Sequence, residues 1–320
     1  RPLGLAGRVI VREGEQIVSR YLNIERPLLT IPSLAIHMNR EANTNASYNA
    51  QKDMLPLIGL GSEPFDMKAL LAEELGIAQA DVLSFDLYLT CLQKGYVWGR
   101  HHEFISSPHL DDLQCAYTTL QGFLQGHSRR SLNVYCCFDN EEVGSRTRQG
   151  AASAFLIDTL RRILSAVQLK EEELQRALAS SLMISADNAH AVHPNVPEKS
   201  DPTNRVYLNQ GIVIKYNANQ SYTSDAISSA LFVELCRQAG VKTQYFTNRS
   251  DLKGGGTLGS ISTSQVSIAS VDIGLPQLAM HSCNETVGIE DSAAMIRAIK
   301  QFYSTHRCMP EEGVLIQQAD

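Results

Sequence analysis

The segment Asp139-Asn140-Glu141-Glu142 sets three carboxylates side by side, directly after the apolar run Leu132-Asn133-Val134-Tyr135-Cys136-Cys137-Phe138. That run reads as a buried strand, so the acids that follow it have no polar face to solvate them. Adjacent carboxylates repel, and burying them without a cation is costly. A divalent metal resolves the conflict. Neighbouring glutamates can then divide the work, one holding metal and the other moving a proton. The plain alternative is a solvated acidic cap on the next helix, whose dipole favours carboxylates at its N-terminus. On this segment alone the two readings are even.

Three further clusters adjoin apolar runs in the same way: His109-Leu110-Asp111-Asp112, Asp187 with His190 and His193, and Met280-His281-Ser282. One such cluster is ordinarily a loop with routine hydrogen bonds; four are harder to dismiss. Carboxylate and imidazole donors suit zinc, cobalt or manganese, and the lack of any CxxC pair argues against a structural zinc or an iron–sulfur centre. A carboxylate shared by two ions about 3.5–4 Å apart is the usual hydrolytic arrangement. Lys215 closes the run Gly211-Ile212-Val213-Ile214-Lys215, with Tyr222 after a polar turn. Beside acidic metal sites this lysine could receive an acidic substrate side chain, although a solvated surface lysine is commoner. The stretch Asp251-Leu252-Lys253-Gly254-Gly255-Gly256-Thr257 lacks the Gly-Lys-Ser/Thr order of a phosphate loop, so Gly255 and Gly256 read as points of close backbone approach to a substrate. His37, far upstream, reads by itself as a buried strand histidine.

These residues need elements to position them. The runs 9–12 and 17–21 flank Glu13-Gly14-Glu15 and predict a hairpin. Pro27 and Pro32 bracket a short edge piece, and Asp66–Leu75 has helical spacing. From about residue 95 strands and helices alternate. Strands are predicted at 132–138, 182–185, 211–215, 241–246 and 266–273, and helices at 149–165, 224–239 and 292–304. This is an α/β pattern, a mixed sheet covered by helices, with the chemistry at the carboxyl ends of strands. The boundary falls near residue 92, dividing a β-rich module (1–92) from an α/β module (93–320).

The bulk properties exclude several classes. The 320 residues are 43% hydrophobic, a globular composition, and 28 basic against 34 acidic residues give a charge of −6 with no basic stripe, which argues against nucleic acid. No apolar run is long enough for a transmembrane helix. Seven cysteines without a paired spacing fit a reduced, cytoplasmic location.

In order along the chain, 31–40 (Ile31-Pro32-Ser33 through Arg40), Leu110-Asp111-Asp112-Leu113, Phe138 through Ser145, Ile184 through Asn195 and Gln277 through Ser282 resemble the aspartyl aminopeptidase family. The resemblance runs from Leu3 to about residue 304. It implies a self-compartmentalising aminopeptidase with two divalent ions, zinc first, acting on peptides. It further implies dimers building a larger homo-oligomer, a dodecamer, through the β-rich dimerisation domain. Asp111 would bridge the ions, Glu142 and Asp187 would each hold one, and His281 would be a terminal ligand. Glu141 would be the general base acting on a metal-activated water. Lys215, Tyr222, His190, Gly255 and Gly256 would contact substrate, with a leaning toward Asp or Glu. His37 would reach a neighbouring subunit's site. Lys253-Gly254 departs from the family pattern, which clouds side-chain preference. The family's second histidine ligand lies in a His-Thr-Asp motif that this sequence lacks, and Arg1-Pro2-Leu3 matches a point inside the dimerisation domain, so an upstream segment is expected. The rivals are a glutamyl or deblocking aminopeptidase, a metallo-carboxypeptidase of similar fold, or a non-catalytic assembly subunit.

Overall fold

The computed structural model describes residues 1–44, 47–61, 64–252, 254–308 and 315–318; Lys253 therefore lies outside the described residues. The chain divides into two compact units, Arg1–Lys94 and Gly95–Asp320.

In the first unit β1 (Leu3–Glu13) and β2 (Gln16–Leu29) form the predicted hairpin, longer than its apolar runs suggest. Gly14 makes the reversal at φ 62°, a left-handed value that glycine adopts without cost. After α1 (Met67–Leu75), β3 (Val82–Cys91) pairs with the free side of β1, giving the antiparallel order β2-β1-β3. Pro27 sits in the edge strand β2, where a missing N–H is tolerated. The Asp66 side chain caps α1 by accepting from the N–H groups of Lys68 and Ala69, and Gly76 ends it in the left-handed conformation. The helix buries Leu71 and Ala72 against Val9, Val11 and Val82.

The second unit opens with β4 (Tyr96–Trp98), β5 (Phe104–Ser107) and α2 (Leu110–Gln125). Then come α3 (Phe155–Ala166), α4 (Glu171–Ala179), β6 (Leu182–Ala186), β7 (Ala189–His190) and β8 (Ile212–Lys215). The chain continues through α5 (Ala226–Gln238), β9 (Thr243–Phe246), α6 (Leu258–Gln265), β10 (Ala269–Gly274) and β11 (Pro276–Leu278). It closes with β12 (Glu285–Gly288), α7 (Ile289–Tyr303) and a hairpin of β13 (Thr305–Cys308) and β14 (Leu315–Gln318). Two mixed sheets result, ordered β6-β10-β8-β9 and β4-β5-β12-β11-β7. They are joined without a break, because β6 runs into β7 as its parallel partner β10 runs into β11. Asp187 N–H donates to the Ile273 carbonyl and Ala189 N–H to that of Leu275, carrying the ladder across the step.

The main core packs Phe232 and Cys236 of α5 and Met295, Ala298 and Ile299 of α7 on Ile212, Ile214, Val271 and Ile273. Each of the larger aliphatic and aromatic side chains among them contributes about 1.5–3 kcal/mol on burial. Among the described residues no helix is long and apolar enough to cross a membrane.

Two expectations need correction. Residues 132–138 join no ladder. Side chains hold them instead: Asn133 Nδ2 donates to the Tyr303 carbonyl, and the Tyr303 and Tyr135 hydroxyls donate to the carbonyls of Val134 and Ala116. Leu132 and Val134 are exposed, so the run is apolar without being buried. The helix predicted from Gln149 begins only at Phe155, because the preceding residues wind into turns against the Ser145 carbonyl, which accepts from Ala152.

Candidate metal centre

Four separate pieces of chain supply the acidic cluster, and each is held in non-repetitive backbone. Asp111 and Asp112 head α2 behind His109, which is left-handed at φ 60°, and both aspartates have non-helical dihedrals. Asp187 occupies the step between β6 and β7. His281 follows the end of β11 at φ 65°. Glu141 and Glu142 lie in a turn closed by Gly144 N–H to the Glu141 carbonyl and Ser145 N–H to that of Asn140. Since the next helix starts at Phe155, these glutamates are not its N-terminal cap.

The pieces converge. His281 Nε2 lies 3.1 Å from Asp111 Oδ2 and 3.2 Å from Glu142 Oε2. Asp111, Asp112 and Asp187 form a second group, and within each trio the donor atoms lie inside 4.8 Å of one another. Asp111 belongs to both. Its side chain is 5% exposed while that of His281 is 63% exposed, so a buried floor meets an open rim.

Without a cation this arrangement is electrostatically expensive. Burial, then the charges of Asp187, Glu142 and Glu285, push the Asp111 carboxyl up to about 8. Burial beside Asp187 and Asp111 also drives Asp112 well above the ordinary carboxylate range. Glu141 rises to about 7, mainly from burial and then from Asp187 and Glu142, with Lys215 and His281 pulling the other way. Glu141 itself is in neither donor trio. Asp111 Oδ1 and Asp112 Oδ1 are buried with no hydrogen-bond partner. Buried carboxylate oxygens are seldom left that way, and carboxylates with one imidazole are donors that suit zinc, cobalt or manganese, so the residues fit a divalent metal.

Lys215 is a buried residue and not a solvated one. Its ammonium donates to Asp187 Oδ2 at 3.1 Å and lies 5.6 Å from the centre of the Tyr222 ring. Burial alone would lower its pKa, but Asp187 and Asp272 outweigh that and raise it. Tyr222 is buried against Phe246, whose ring is 6.4 Å from that of His190. Gly255 and Gly256 are exposed; a side chain would meet open space at Gly255 and the Ser221 carbonyl, 3.9 Å from its first carbon, at Gly256. His37 lies in an exposed turn of the first unit, so its reading as a buried strand histidine fails.

Sequence reasoning assigned no role to three features that the structure brings in. Asp112 adjoins Asp111 in the sequence, but nothing there sets it apart from an ordinary neighbouring acid. Glu285, four residues past His281, carried no signal of its own. Asn188 donates to both Gln114 and Gln277 in a buried network beside Asp187, and glutamines on unrelated segments could not have been linked in advance.

Residues 1–303 match the family described as Aminopeptidase I zinc metalloprotease (M18). The chain is 46% identical over 312 residues to the probable M18 family aminopeptidase 2 of Clostridium novyi (strain NT), covering 95% of this chain and 72% of that protein. It superposes on a cryo-EM structure of an Ape4 and Nbr1 complex with a TM-score of 0.87 and 34% identity, covering 95% of this chain and 63% of that one. The mApe1 dodecamer of S. cerevisiae gives a TM-score of 0.76 at 26% identity, covering 95% of this chain and 69% of that one.

Proposed function

This chain belongs to the M18 family of zinc metallo-aminopeptidases, and from that premise we propose that it removes N-terminal residues from peptides with two divalent ions held around Asp111. The observation that carries this reading is the membership of Asp111 in both donor trios. Glu142 and His281 complete one site. Asp187 serves the other, with Asp112 beside it. Zinc, when bound, supplies a Lewis acid that polarises a peptide carbonyl and acidifies water.

Glu141 takes the proton of the attacking water and returns it to the departing amine. A carboxylate next in sequence to the ligand Glu142 is the type of group that accepts and releases a proton in such a site. Lys215, Tyr222, His190, Gly255 and Gly256 line the substrate side. An ammonium carries three donors and Asp187 uses one, which leaves Lys215 capacity for a substrate carboxylate. Acidic N-terminal residues are therefore the preferred substrates. Dimers form through the β-rich first unit and build a larger homo-oligomer, a dodecamer, in the cytoplasm, with His37 of one copy serving the site of another.

The test pairs free-amine with N-acetylated acidic peptides. Blocking the amine abolishes cleavage by an aminopeptidase, and undiminished cleavage of acetylated peptides rejects the reading. Glu141→Gln should lower kcat by about 10²–10⁴ with metal content unchanged; loss of metal instead would make Glu141 a ligand.

A further inference from the structure

Glu285 takes no part in the roles assigned above, yet its carboxylate joins two of the pieces that build the metal centre. It heads β12, where it pairs with Ser107 of β5, and it is only 2% exposed. Oε1 accepts from the backbone N–H of His281 at 2.7 Å, and Oε2 accepts from that of Asp111 at 3.0 Å. Neither N–H has a partner in regular structure. Asp111 stands among the first residues of α2, whose N–H groups lack intrahelical acceptors, and His281 is in a left-handed turn. The side chains carried by these two residues meet with Nε2 and Oδ2 3.1 Å apart.

We propose that Glu285 is a positioning residue for the metal centre, a buried carboxylate that sets the spacing of Asp111 and His281 by holding both of their backbone amides. The assignment rests on the metal reading above. Two charge-assisted bonds to one rigid carboxylate fix two backbones in a common frame, which neither turn achieves alone. Groups that orient ligands in this way typically govern metal affinity by 10- to 100-fold.

Glu285→Gln is the sharpest variant. The carboxamide keeps size and shape but offers one acceptor oxygen, and its NH₂ faces the second N–H as donor against donor. Zinc affinity of the full chain is measured by competition with a chromophoric chelator, beside the melting temperature of the zinc-free protein and the split of kcat from KM at saturating zinc. A positioning role predicts about 10- to 100-fold weaker zinc binding and a reduced kcat with KM little changed. Glu285→Asp, which keeps the charge but shortens the reach, should fall between the two, and it replaces the Gln variant if that one does not fold. Lowered melting with zinc affinity equal to wild type overturns the assignment and makes Glu285 a structural cap of α2. Wild-type chain that binds no zinc overturns the metal reading and this assignment with it.

Discussion

Asp111 and Glu141 owe their raised pKa values to one cause, burial among carboxylates, and that cause has a consequence for stability. Asp111 titrates at about 8 in the folded chain and near the ordinary aspartate value when unfolded. Protonated, it therefore stabilises the zinc-free fold. That contribution is complete below the unfolded pKa and is lost as pH rises through about 8. Glu141 behaves alike, with its contribution lost as pH rises from its unfolded value through about 7. Chelator-treated protein should accordingly melt at progressively lower temperature between about pH 4 and about pH 8. Zinc should flatten or reverse the trend, because it binds the ionised forms. Melting curves across that range decide the point, and a pH-independent melting temperature of the zinc-free chain would mean that these carboxyls do not share a site.

At the scale of elements, α2 carries Asp111 and Asp112 at its head and packs along α7. A side chain at Gly122 would place its first carbon 2.5 Å from Ile299 Cβ, so the two helices approach as closely as they do because this position lacks one. Gly122→Val should destabilise the fold by about 1–3 kcal/mol through overpacking. Leu113→Ala, at a position 66% exposed on the same helix, should stay within about 0.5 kcal/mol. Urea titration of both variants measures the contrast, and equal effects would show that the α2–α7 contact does not limit stability. Elements were legible where apolar runs end in sharp punctuation. Leu182–Ser185, Gly211–Lys215 and Ser292–Ser304 all correspond to elements offset by a few residues at most. The run 132–138 misled because apolar composition signals burial in general, whereas a strand needs a hydrogen-bonding neighbour that composition does not specify.

For the whole molecule, the proposed assembly makes activity depend on more than one copy. Glu141→Gln and His37→Ala chains should each be inactive alone. If His37 serves a neighbouring subunit, mixing the two should restore measurable hydrolysis, because some sites then combine an intact Glu141 with an intact His37 from another copy. Light scattering of the purified chain should give an integral multiple of its mass. A monomer with full activity, or mixtures with none, would remove His37 from the site.

The sequence alone offered the candidate donors. Acidic and histidine clusters beside apolar runs suggested a metal, because side-chain chemistry and local periodicity are properties of single residues and short windows, while the choice of 111, 141, 142, 187 and 281 among them came from the family resemblance. What only the tertiary structure decided is which of them meet. Asp111 belongs to two donor groups. Lys215 is buried on Asp187 and is not solvated. Glu285 binds the amides of Asp111 and His281. These contacts depend on ladder register and on where β6 steps into β7. Register arises between strands distant in sequence, and no spacing within one segment encodes it.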